Sequence, residues 1–581
     1  MAGYLRVEGV NFDASILDTA DLSTIRGSSL LFLNIIKELN TALQANYGAK
    51  QVSLGASTGL WRFDNGDPET VATEVRNWLN GTSTPARSTP AGSTPALPHA
   101  PLAVFTVVAT ADSGDFLTDR ETLLAKARLQ QMRLPAVVYP GSGREVILPP
   151  DRHQLTDPDQ EKTETWVCEL DMVRPRATNA ERIKGEWKWV SPSVRERRKY
   201  GVEAKQHYYR EVMDAAGISL NTDILPSHET FPFARHFESL TEPARTDPSK
   251  DKIAVLYIDG NKFSEQERAY VSGVAGDKGK TPIERQQEYD TQIQTFRAKY
   301  LKRLLEMLHE EGGHGAPATG EKAEREALQK KYPYINTDRV IRMETLFWGG
   351  DDLMIILPAR LGWRAVQELH ELTQNYRGNG QWKIGDLEMH HAAGLIYCHH
   401  NAPIHRIKQL ADSLCRNAKG KKQEHRETSR LAYMVLESFD LTGGDTNNYW
   451  HQRTCNNFTM DNFIIEFKDL QKVKQMIAAL KKDDFGNRPY PNRRVRNLAS
   501  AIHRADQEYV PDMKAILDLT HQEKPADELM KRLEKARSAA WLDFPDGVDE
   551  ALNQGFGDDK PLGARWLIIE DLWDYLALGS G

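Results

Sequence analysis

Between Asp251 and Ala418 the sequence alternates strand-like and helix-like stretches in the order β-α-β-β-α-β, and no other feature restricts the fold as much. Residues 253–258 are a β-branched apolar run, 284–308 have helical spacing, and 343–348 and 353–357 read as strands around a Gly-Gly turn. A helix fits 363–376, a strand 389–397 and another helix 404–418. This is the split βαβ order of a ferredoxin-like palm.

A weaker copy of the pattern lies near the N-terminus. Leu5-Arg6-Val7-Glu8-Gly9 aligns with Leu256-Tyr257-Ile258-Asp259-Gly260, and Gly55-Ala56-Ser57-Thr58 aligns with Gly349-Gly350-Asp351-Asp352. A strand at 102–108 and a helix through Leu123-Leu124-Ala125-Lys126 mirror the end of the second copy, but the first copy lacks the aspartates. The expected class is therefore α+β, with two ferredoxin-like palms, a helical connector and a helical C-terminal domain. The corresponding segments are 1–150, 151–250, 251–432 and 433–581, and 581 residues suit three or four domains. Within the first segment, 80–101 carries three Ser-Thr-Pro repeats and reads as a flexible loop. Near the C-terminus, helical periods recur at 470–480, 494–504 and 566–578.

The palm order places the end of strand 253–258 beside the turn joining the next two strands. Asp259 then neighbours Asp351 and Asp352. Carboxylates crowded at one sheet edge repel each other unless a cation neutralises them. Mg²⁺ or Mn²⁺ suits such oxygen ligands and also bridges phosphates. With two ions about 3.5 to 4 Å apart, one activates a ribose hydroxyl and the other stabilises leaving pyrophosphate. Gly349 and Gly350 are expected to supply positive φ in the turn and to let a triphosphate approach the backbone. The helix 404–418 returns toward the same edge, bringing Lys419, Lys421 and Lys422 within reach of phosphates. For Lys421 and Lys422, pairing with the helix dipole accounts equally well for the lysines.

Other strings carry less. Gly279-Lys280-Thr281 lacks the earlier glycine of a P-loop, since Val274 stands there, and Pro282 follows; it reads as a surface loop. His390, His391, His399, His400 and His405 cluster along the sequence, but alternation on a strand sends neighbours to opposite faces. No His-Asp dipeptide occurs in the 581 residues. Cys168, Cys398, Cys415 and Cys455 form no Cys-x-x-Cys pair and read as buried reduced thiols. A net charge of -7 excludes a globally basic nucleic-acid binder, and no run of 18 apolar residues or apolar leader is found, so a cytoplasmic protein without a membrane span is expected. One local tract, 174–210, mixes basic residues with Trp187, Trp189, Tyr200, Tyr208 and Tyr209. It suits RNA contact through Arg195, Arg197 and Arg198. A solvated helical connector with ordinary aromatic packing fits the same tract.

These residues together resemble the large polymerase-like subunit of type III CRISPR effector complexes. The resemblance is carried by Ile-Ala-Val-Leu-Tyr-Ile-Asp-Gly-Asn-Lys-Phe from Ile253, Trp-Gly-Gly-Asp-Asp from Trp348, and His-Ala-Ala-Gly-Leu-Ile-Tyr-Cys-His from His391 with the helix ending at Lys419. Ile25-Arg26-Gly27-Ser28-Ser29-Leu30-Leu31 looks like that family's first palm. The resemblance implies an RNA-activated enzyme that makes cyclic oligoadenylate from ATP as an antiviral signal, either beside other CRISPR effector subunits on guide and target RNA or as a stand-alone enzyme. It implies metal ligands at Asp259, Asp351 and Asp352, and nucleotide contacts at Gly260, Asn261, Phe263, Gly349, Gly350 and Lys419. Asn261 stands where the family has a second acid, and neither the family's HD nuclease signature nor its inter-palm zinc cysteines are seen, so no DNA cleavage is expected of this chain. GGDEF-type diguanylate cyclases, which use GTP, resemble the second palm through the helix end at Ala418-Lys419-Gly420 but carry glutamate after Gly-Gly-Asp. An RNA-binding scaffold whose palm binds nucleotide without turnover is the alternative outside enzymes.

Overall fold

The computed structural model describes residues 1–10, 15–81, 97, 99–133, 167–172, 174, 180–183, 185–219, 234, 237–241, 249–310, 341–349, 352–376, 380–436, 446, 449–450, 458–481, 492–493, 495–496, 499, 556, 560 and 562–576. Among them, no helix is long and apolar enough to cross a membrane.

Strand β1 (Gly3–Val10) is followed by α1 (Leu22–Tyr47), β2 (Lys50–Leu54), β3 (Thr58–Phe63), α2 (Pro68–Leu79) and β4 (Val104–Ala111). The sheet order β2-β3-β1-β4, antiparallel throughout, is that of a palm. Period-two alternation on β1 sends Leu5 and Val7 into a core with Leu31, Ile35, Val71 and Val75 of the two helices. α1 starts where the Asp21 carboxylate accepts the Thr24 amide at 2.9 Å. The opposite sheet face is covered by α3 (Phe116–Arg133) through Phe116 and Leu123. Most of the expected loop 80–101 lies outside the described residues, although Leu97 and Ala100 pack into the first core.

The connector contains a hairpin of β5 (Ala180–Ile183) and β6 (Glu186–Trp189), then α4 (Pro192–Ala215). The three arginines expected to contact RNA make contacts within the chain. Arg197 is 1% exposed, its guanidinium held by both Asp18 oxygens at 3.0 and 2.7 Å and by Ser28 Oγ at 2.9 Å. Arg198 faces Asp21 at 3.4 Å, and Arg195, partly exposed, faces Glu181 at 3.5 Å. Tyr208 and Tyr209 are buried as core.

The second palm runs through β7 (Lys252–Gly260), α5 (Phe263–Val271), α6 (Pro282–Glu310), β8 (Glu344–Trp348), β9 (Leu353–Pro358) and α7 (Gly362–Gln374). The short strands β10 (Lys383–Ile384) and β11 (Leu387–Glu388) precede β12 (His391–His399) and α8 (Ile404–Lys419). The order β12-β7-β9-β8 repeats that of the first palm, as the duplication requires. β7 is central and covered on both faces, which explains its unbroken apolar run. The sheet does not stop at the four strands expected. β13 (Arg430–Val435) pairs parallel with β12, and β14 (Ile465–Glu466) pairs with β13, so the boundary expected at 432 falls inside a strand. Beyond it, α9 (Leu470–Lys481) and α10 (Leu562–Leu572) are helical, while most of 494–504 lies outside the described residues.

The palms are joined by close helix contact and by buried charge. α1 crosses α4 at Gly27 and Gly201, where a Cβ on Gly27 would stand 1.8 Å from the Arg197 carbonyl oxygen and one on Gly201 would stand 2.1 Å from that of Ser23. Beside this crossing Arg26 donates to Gly201 O at 2.8 Å and to both oxygens of Glu344 on β8, at 2.8 and 3.0 Å. Lys205 of α4 adds a bond to Glu344 at 2.8 Å. One buried carboxylate thus collects cations from the first palm and the connector. Polar contacts from the second palm complete the joint: Gln287 and Gln294 of α6 donate to Gln51 O and Leu54 O at 2.8 and 2.9 Å.

Candidate active site

The β7–β9 ladder is antiparallel and its last described pair is Ile258 with Leu353, so continuing the register sets Asp259 opposite Asp352. On its other side Asp259 pairs with Ala392 of β12. The fold therefore brings Asp259 and Asp352, 93 positions apart in the numbering, to one sheet edge. Gly350 and Asp351 lie outside the described residues. The turn itself closes by a bond from the Gly349 amide to Asp352 O at 2.7 Å. The corresponding turn in the first palm closes in the same way, Gly55 N–H to Thr58 O at 2.7 Å. Positive φ was expected at Gly349, but its backbone is not in the left-handed region. A Cβ there would lie 3.4 Å from Asp352 Cβ, an ordinary contact. Among the described residues, packing therefore does not demand glycine at 349.

Helix α8 supplies the site's cation. It packs closely on β12, since a Cβ on Gly394 would stand 2.2 Å from Ala411 O, and it places Cys415 behind the Ala392–Asp259 pair, with Sγ donating to Ala392 O at 3.3 Å. One turn further, Lys419 Nζ forms an ion pair with the Asp259 carboxylate, both side chains remaining partly exposed. Burial first, and the Asp259 carboxylate second, push the Cys415 thiol well above its usual range. Tyr257 stands on the same face of β7, two residues before Asp259. Burial, then Asp352 and Asp259, hold its hydroxyl protonated far above the ordinary tyrosine range. Tyr257 and Cys415 were not singled out from the sequence, although alternation along β7 pairs Tyr257 with Asp259.

The remaining candidates are used by the protein itself. Gly260 leaves room for the Phe263 ring, which a Cβ would meet at 2.5 Å. Phe263 is buried against His391 and Trp382, with ring centroids 5.4 and 6.1 Å away, so its ring is part of the core. Asn261 is buried; its amide donates to His390 O at 2.8 Å and its Nδ2 to Thr428 O at 3.1 Å, while Oδ1 has no hydrogen-bond partner. Lys421 and Lys422 are exposed beyond the helix end. His391 is buried and pushed down to about 3, first by burial and then by His390 and Lys419, so it is neutral at physiological pH. Among the described residues, no group of three or more His, Cys, Asp or Glu is placed to hold a metal ion. Lys280 pairs with Glu288 at 2.9 Å, and Thr281 exchanges bonds with Glu284 at the start of α6, so that loop serves as a helix entry. Cys168, Cys398 and Cys415 are buried free thiols, and Cys455 lies outside the described residues.

Comparison with protein families matches residues 252–428 to the Cas10/Cmr2 second palm domain. The protein carries a Cas10-like palm. The match begins at the first residue of β7 and takes in both acids and Lys419, so the Cas10-like segment and the site built above coincide. Comparison with curated proteins gives no match. Among solved structures, a Csm1–Csm4 cassette in complex with cA4 aligns at 10% identity over 99% of this chain and 70% of that chain, with a TM-score of 0.49. Csm1 in T. onnurineus aligns at 10% identity over 98% and 69%, with a TM-score of 0.48. A Csm1–Csm4 cassette in complex with one ATP gives 10%, 99% and 70%, with a TM-score of 0.49. The Cas10-like palm rests on the family match.

Proposed function

We propose that the second palm is a nucleotidyltransferase that condenses ATP into a cyclic oligoadenylate, activated by RNA bound to this chain together with other CRISPR effector subunits. The observation that carries this reading is the meeting of Asp259, already charge-paired with Lys419, and Asp352 at one edge of a Cas10-like palm. Their donor atoms are carboxylate oxygens only, a set that suits Mg²⁺ or Mn²⁺, and Asp259, Asp352 and Asp351 would hold the ions. A divalent ion bound there neutralises the crowded acids and supplies Lewis-acid activation of hydroxyl and pyrophosphate. The protein's own groups bind and orient. Lys419, released from Asp259 as the acids are neutralised, is free to take a phosphate oxygen. Glycine at 349 puts no side chain between the backbone and a triphosphate.

The test is incubation of the pure chain with Mn²⁺ and labelled ATP or GTP, with and without RNA, followed by mass spectrometry of the product. A cyclic adenylate supports the proposal; a guanylate product points instead to diguanylate-cyclase chemistry. A scaffold that binds ATP without releasing pyrophosphate is the second reading, favoured by Asn261, whose carboxamide is committed to Thr428 O. Lys419→Ala is expected to raise KM for ATP on the order of tenfold, the size of one charge-assisted bond, with a smaller change in kcat. An unchanged KM removes Lys419 from the phosphate site.

A further inference from the structure

The position of Asp352 depends on a turn that begins with glycine, and glycine supplies little rigidity of its own. At the base of the turn stands Trp348, the last residue of β8 and 5% exposed. Two elements from outside the hairpin grip it. From α6, Arg297 places its guanidinium 5.1 Å from the Trp348 ring centroid and donates from Nη2 to Trp348 O at 3.4 Å. From α4, Tyr208 meets the same indole edge to face with centroids 6.3 Å apart. The next residue of α4, Tyr209, shares a hydrogen bond of 3.1 Å with Thr345 of β8, and Lys205 holds Glu344 of the same strand. The connector helix thus follows β8 up to the turn. Arg297, Trp348 and Asp352 also line one small cavity of about 30 Å³, so the clamp and the carboxylate are immediate neighbours.

We propose that Trp348, gripped between Arg297 and Tyr208, is a positioning residue that sets Asp352 opposite Asp259. The inference deepens the nucleotidyltransferase reading and rests on it for its catalytic meaning. Its structural content stands alone: the bond from the Gly349 amide to Asp352 O persists only while Trp348 is held. Because α4 comes from the connector and α6 from the palm, the turn is held by two domains at once.

The test is amide hydrogen exchange on the full chain, read at Gly349 and at the β9 amides of Ile355 and Ile356, beside ATP turnover titrated with Mn²⁺. In Arg297→Met and in Tyr208→Leu, exchange at Gly349 should speed up on the order of tenfold while the β9 amides keep their protection. Half-saturating Mn²⁺ should rise roughly tenfold, the lower end for lost support of a metal ligand. Trp348→Leu should do the same, and Trp348→Phe, which keeps a ring for both neighbours, should restore most of the protection. Unchanged exchange at Gly349 overturns the proposal. So does acceleration spread equally over β9, which would reveal general loss of packing. If Gly349 alone is released but no protein, wild type included, makes product, the positioning role stands and the nucleotidyltransferase reading fails.

Discussion

Asp352→Asn should abolish product formation, with turnover falling on the order of a thousandfold or more, beyond the ten- to hundredfold typical of groups that only support a metal ligand. The charge is the point, since asparagine preserves shape and one oxygen. Continuing the β7–β9 register sets Asp259 opposite Asp352, and both carboxylates raise the Tyr257 hydroxyl. Lys419 offsets that juxtaposition only on the Asp259 side. Full turnover in Asp352→Asn, measured as pyrophosphate release, would remove the acid from the mechanism.

Glu344→Gln should cost several kcal/mol of stability, about 3 to 5 by analogy with other buried ion pairs broken on one side. Glu344 is fully buried and accepts three bonds, two from Arg26 and one from Lys205. A carboxamide presents an NH₂ to one of those donors and no charge to either. Two buried cations would then lose this shared counter-ion in low dielectric. The urea midpoint reports the loss. The paired control is the triple replacement Arg26→Met, Lys205→Met, Glu344→Leu, which removes all the charge at once and should recover most of the stability. If the single and triple variants unfold at the same midpoint, unpaired charge is not the cause.

How much of this was visible in the sequence depends on how local each signal is. The run at 253–258 and the Gly-Gly turn announced adjacent strands because strand period and turn chemistry are properties of neighbours along the chain. From these the meeting of Asp259 with Asp352 followed by topology. The first palm was found by its likeness to the second despite its lost acids, and its turn does close with the same hydrogen bond. Arg197 shows what could not be read: its counter-ion, Asp18, is 179 residues away, so its burial has no local signal. For Phe263 too, only the fold shows that its ring lies beneath Gly260. The strands β13 and β14 were missed because one follows a helix-rich stretch and the other has two residues.

The parallel strand β13 also bears on where this palm ends. The family match stops at 428, two residues before β13 begins. Cutting the chain there would strip β12 of its parallel partner and leave the six residues Ala392 to Tyr397 with a row of unpaired amides and carbonyls on that side. Such a margin recruits any passing chain into cross-strand pairing, so the natural limit of the folding unit lies beyond the limit of its kinship.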